Sequence, residues 1–80
     1  MIVFNDILER LRTLLQQQTG QPKVRDRDIA ATLKLDPQYF AVIKRRNKIP
    51  YEALAVFCKT HRISLNWLLF GQTPENLSDT

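Results

Sequence analysis

Four cations fall within five positions of this chain, Lys44, Arg45, Arg46 and Lys48, with Asn47 between them. Guanidinium and ammonium groups at that density are suited to phosphate oxygens, the arginines as bidentate donors. A charge run is more often a solvated face, and cations at a helix C-terminus also complement the helix dipole. The distribution of charge along the chain separates these cases. Residues 23–48 hold eight Lys and Arg (Lys23, Arg25, Arg27, Lys34, Lys44, Arg45, Arg46, Lys48) against Asp26, Asp28 and Asp36, a balance of +5. Residues 1–22 sum to zero and residues 49–80 to −1, within a net charge of +4. Positive charge gathered in one third of a chain is the footprint of a polyanion-binding face.

Other chemistries lack their parts. One cysteine, Cys58, and one histidine, His61, fall short of a metal-ligand set, and a lone cysteine permits no disulfide within the chain. No Ser/His/Asp set, glycine-rich phosphate loop or pair of pocket carboxylates can be assembled, so no enzymatic activity, cofactor or small-molecule ligand is expected. At 80 residues one domain is expected. No apolar run approaches the ~18 residues of a membrane span, and "MIVF" is too short for a signal peptide. A reducing cytoplasm is the expected setting.

The elements that must position the cations are helical. Ile7, Leu8, Leu11, Leu14 and Leu15 recur at three- and four-residue spacing and predict a first helix over 6–18, capped by Asn5 and stopped at Thr19-Gly20. A short second helix is expected over 26–33, with Ile29, Ala30 and Leu33 inward. Lys34-Leu35 breaks it, with Leu35 turned in. Asp36 reads as an N-cap and Pro37 as the first residue of a third helix running to about Arg46, where Asn47 can adopt the left-handed conformation. Phe40 and Ile43 are its buried pair. Pro50 opens a fourth helix over 50–60, with Leu54, Ala55, Phe57 and Cys58 toward the core. Ser64 caps a fifth over 65–70, from which Trp67, Leu68 and Phe70 would close the core before Gly71. Residues 72–80 are polar and read as a tail or the start of a linker. No stretch alternates as a strand does. The expected fold is all-α, five helices in one compact domain over residues 1–71.

Two short helices joined by a tight turn, the second flanked by cations, are the parts of a helix-turn-helix. Ile29, Ala30, Leu33, Leu35, Phe40 and Ile43 supply small or apolar side chains where its helices must meet. On the outer face of the third helix stand Gln38, Ala41, Val42 and Arg45. Gln38 can pair bidentately with adenine and Arg45 with guanine, while Ala41 and Val42 permit close approach and contact a thymine methyl. Arg25, Arg27, Tyr39, Lys44, Arg46, Asn47 and Lys48 surround that face as candidate phosphate contacts, which anchor without reading sequence.

The stretch "RDRDIAATLKLDPQYFAVIKRRNKIPYEALAVFCKTHRISLNWLLFGQ" resembles the helix-turn-helix domain of bacteriophage CI-like repressors, within the lambda-repressor-like class. The resemblance spans about residues 5–71. Its most specific parts are the Ile-Pro-Tyr-Glu-Ala-Leu opening of the fourth helix and the "NWLLFG" close. It implies a transcriptional repressor on double-stranded DNA, pairing as a homodimer on a palindromic operator. Three positions depart from the family pattern. Lys34 stands at a turn position usually held by Gly, Asp26 where Gln is common, and Pro37 where a polar side chain can reach a base. The competing expectation is a helical interaction module, an antitoxin or adaptor, whose basic face binds an acidic partner.

Overall fold

The computed structural model describes residues 1–76. These form five helices: α1 (Phe4–Thr19), α2 (Asp26–Thr32), α3 (Pro37–Arg45), α4 (Tyr51–His61) and α5 (Leu65–Phe70). The described residues contain no strand, only an isolated antiparallel bridge between Ile63 and Asn76. The domain is all-α, as the periodicity predicts.

The longest helix, α1, is the platform. Its stripe of Phe4, Ile7, Leu8, Leu11, Leu14 and Leu15 is buried against α2 and α5. It starts two residues before the predicted position, at Phe4, and Asn5 is not its cap. Phe4 is wholly buried and its ring lies 5.8 Å from that of Phe40 on α3, so burying it extends the helix backward. At the other end Gly20 takes φ 72 and its N–H donates to Gln16 O. From its half-buried flank, Arg10 Nη1 donates to Leu68 O at 2.9 Å and ties α1 to the end of α5.

Three helices end by the same device at residues other than glycine. Lys34 has φ 59, Asn47 φ 53 and Arg62 φ 57. After α2, Lys34 N donates to Ala31 O and Leu35 N to Ala30 O. After α3, Asn47 N donates to Lys44 O and Lys48 N to Ile43 O. After α4, Ile63 N donates to Cys58 O. These are the bonds of a Schellman ending, with one left-handed residue turning the chain sharply. Lys34 therefore keeps the turn that glycine would make, at the expense of an L residue in the left-handed region.

The starts of α3 and α5 match their sequence signals. Asp36 Oδ2 accepts from Tyr39 N at 3.1 Å with Pro37 in the first turn, and Ser64 Oγ accepts from Trp67 N at 3.3 Å. At α2, Arg25 N donates to Asp28 Oδ2 at 2.9 Å, a carboxylate three residues on closing the first turn. The core holds Ile29, Ala30, Leu33, Phe40, Ile43, Leu54, Phe57, Cys58 and Leu68, with Leu35 and Trp67 packed at its edge. Phe4, Val24 and Ile63 join it unanticipated.

Two burial expectations fail. Ala55 is exposed, because it lies about 100° on from Leu54 around the helix, off the stripe of Leu54, Phe57 and Cys58. Phe70 is 53% exposed: it ends a six-residue helix whose inward position is taken by Leu68. The polar segment after Gly71 does not simply leave the domain. It folds back so that Ser64 N donates to Glu75 O at 2.8 Å; residues 77–80 of the expected tail lie outside the described residues.

Candidate nucleic-acid interface

The second and third helices bracket a turn at residues 33–36 and pack against each other, with Ala30 of α2 and Phe40 of α3 both nearly or wholly buried. This fixes which side of α3 faces out. At about 100° per residue, Gln38, Ala41, Val42 and Arg45 fall within one arc of about 100°, opposite the buried pair Phe40 and Ile43. Gln38, Ala41 and Arg45 are exposed and Val42 is half-buried. The four candidate base-reading side chains thus share one outward face.

The candidate phosphate contacts separate into groups. Arg25 and Arg27, at the start of α2, are exposed, as are Arg46 and Lys48 beyond the end of α3. Arg27 and Arg45 line a shallow depression of about 600 Å³ between α2 and α3, together with Asn5, Asp26, Ala41 and Lys44. Tyr39, 46% exposed, lies on the opposite flank of α3. There it lines a second depression of about 560 Å³ with Leu35, Tyr51, Val56 and Phe57.

Two of the group have partners within the chain. Lys44 Nζ meets Asp26 Oδ2 at 2.5 Å. Asp26 Oδ1 in turn accepts from Arg12 Nη2 at 2.7 Å. Arg12 is held further by Val24 O and by Glu9, so its guanidinium is fixed over the first turn of α2. Asp26 is therefore an anion bracketed by two cations rather than a bare acid on the basic face.

Asn47 has its amide turned inward to the N-terminal segment. Its Oδ1 accepts from Phe4 N at 2.7 Å, and its Nδ2 donates to Ile2 O at 3.4 Å. One residue thus ends α3 with its backbone and serves as the missing cap of α1 with its side chain. This contact joins the platform to the C-terminal end of the helix bearing Arg45 and Arg46. Nothing local in the sequence signals it, since the partners stand 43 residues apart.

Cys58 is 4% exposed, and burial pushes its thiol from an ordinary 9.0 up to about 11. It is a protonated core side chain. Among the described residues no helix is long and apolar enough to cross a membrane. Comparisons with protein-family models, with curated proteins and with solved structures gave no match.

Proposed function

We propose that this domain binds double-stranded DNA with sequence preference, laying α3 in the major groove, and acts as a transcriptional regulator of the phage-repressor kind in the cytoplasm. The observation that carries this is the outward arc of α3. A glutamine and an arginine, the side chains suited to adenine and guanine, flank an alanine and a half-buried valine on one surface. Arg27, Arg46 and Lys48 stand exposed around it. In this role Gln38 and Arg45 read base edges, Ala41 and Val42 allow close approach, and Arg25, Arg27, Arg46 and Lys48 grip phosphates. Asn47 sets the position of α1 against α3. One short helix reads too few base pairs to select a genomic site, so two domains pair on a palindrome with half-sites about 34 Å apart. The exposed Met1, Val3 and Phe70 offer only a modest apolar surface for that pairing.

Selection of bound sites from a random DNA pool tests the proposal, followed by titration of the selected site across salt concentrations. A consensus with two-fold symmetry is expected. If about four phosphates are neutralised per domain, the log–log salt slope is near −3.6. Absence of a consensus together with salt-independent affinity would refute it. One observation favours an interaction module instead: the depression beside α4 exposes Tyr39, Tyr51 and Val56 together. A partner seated there leaves the same DNA selection without a consensus.

A further inference from the structure

The charge arrangement beside α3 points to a restraint on DNA affinity. We infer that Asp26 is an internal stand-in for a backbone phosphate: it occupies Lys44 in the free domain and so lowers binding to all DNA sequences alike. This inference rests on the DNA-binding proposal above.

Asp26 opens α2 and lines the depression that also contains Arg27 and Arg45. A DNA strand following those arginines passes Asp26. The carboxylate is not buried out of reach, because its side chain is 40% exposed and that of Lys44 38%. Its two partners differ in freedom. Arg12 is fixed by Val24 O and Glu9 as well as by Asp26, and stays when the anion changes. Lys44 has a flexible four-carbon stem, and its ammonium is turned to the carboxylate. A phosphate and Asp26 are both oxyanions and compete for the same ammonium. Docking therefore requires either that Lys44 be drawn from Asp26, leaving a carboxylate beside the phosphate, or that Lys44 contribute no phosphate contact. Both weaken binding without reference to base sequence, since phosphate contacts carry no sequence information.

The Asp26→Asn variant keeps the shape, leaves an oxygen for Arg12 and releases Lys44. One additional phosphate contact steepens the salt slope by about 0.9, which amounts to roughly eightfold tighter binding at 0.1 M relative to extrapolation at 1 M. Fluorescence anisotropy of wild type, Asp26→Asn, Lys44→Gln and the double variant, on selected and random duplexes across a salt series, provides the test. Asp26→Asn is expected to gain about eightfold on both duplexes at 0.1 M, with the slope steeper by about 0.9. Lys44→Gln is expected to cost less than about threefold in the wild-type background but about eightfold in the Asp26→Asn background. Equal or weaker binding by a folded Asp26→Asn domain overturns the inference while the wild-type consensus stands. Should Asp26→Asn fail to fold, Lys44→Gln alone decides. A full unit lost from the wild-type slope shows that Lys44 already grips phosphate and overturns the restraint; a loss below threefold supports it. If wild type itself gives neither consensus nor salt dependence, the DNA-binding proposal falls and takes this inference with it.

Discussion

Two left-handed residues, one at each end of the turn and helix that carry the candidate interface, should respond to glycine with opposite signs. Lys34 has φ 59 and Asn47 φ 53, so the backbone request is nearly the same. A left-handed L residue costs roughly 1–2 kcal/mol, and glycine returns about 0.4–1 kcal/mol of that through the greater freedom of the unfolded chain. Lys34 is exposed and its ammonium sits at the end of α2, where a cation contributes only about 0.3 kcal/mol. Lys34→Gly should therefore stabilise by about 0.5–1 kcal/mol, a rise in Tm of roughly 2–8 °C for a domain of this size. Asn47 tolerates the left-handed region better than lysine, so less strain is relieved there. Its side chain also accepts from Phe4 N at 2.7 Å, beside a wholly buried ring. Leaving such a donor without a partner costs about 1–3 kcal/mol. Asn47→Gly should lose about 1–2 kcal/mol net, a fall in Tm of roughly 4–15 °C. Asn47→Asp, which keeps the oxygen, should lie between glycine and wild type. Thermal and urea unfolding of the three variants measure this. If both glycine variants gain stability, the Asn47 latch contributes nothing. If both lose it, the left-handed strain at Lys34 has been overvalued.

Three further outcomes follow from the site and the core. Arg45→Ala or Gln38→Ala should cost about 1–3 kcal/mol on the selected site and relax one base position each, read by repeating the DNA selection; equal losses on random DNA would reduce either residue to a phosphate contact. Cys58, with its thiol raised to about 11, should react with a maleimide only as fast as the domain opens. The unfolded thiol ionises near its ordinary 9.0 while the folded one keeps its proton, so the stability margin over Cys58→Ala should be full below pH 9 and shrink as pH rises from 9 toward 11. Met1, Val3 and Phe70 offer little apolar surface for pairing, so the chain should sediment mainly as a monomer at micromolar concentration and bind a palindrome as two cooperative copies; a tight dimer without DNA would mean that a further surface, such as the exposed Tyr39, Tyr51 and Val56, joins the copies.

What was legible in the sequence was local. Asp36, Ser64, Gly20 and Gly71 announce helix ends through chemistry completed within a turn or so of the chain, and each lies at a helix boundary. The stripes of α1 and α3 follow from a 3.6-residue period and place their buried residues correctly. Errors appear where an element is too short for a period to decide, or where a distant neighbour decides instead. In the six residues of α5 both Leu68 and Phe70 are plausible core residues, and the packing against α1 chooses Leu68. Phe4 looks like part of a loose apolar end until the ring of Phe40 is placed beside it. Val24 and Ile63 lie in connections, where periodicity gives no signal.

The candidate site divides along the same line. That Gln38, Ala41, Val42 and Arg45 share a face is a property of one helix and needs no tertiary information. What their flanks do is a property of the fold. In the sequence Asp26 is an acid misplaced in a basic segment, and Lys44 and Asn47 are members of a polar run. In the structure Asp26 takes partners 14 and 18 residues away, and Asn47 takes one 43 residues away. Two of these pairings engage side chains, Lys44 and Asn47, that the sequence alone offers as candidate phosphate contacts. A count of the cations in a segment therefore overstates how many are free to meet a ligand. Of the cations at residues 44–48, Arg45, Arg46 and Lys48 remain exposed while Lys44 is held by its carboxylate. A salt slope that follows the exposed cations rather than the full count of cations would measure that difference directly.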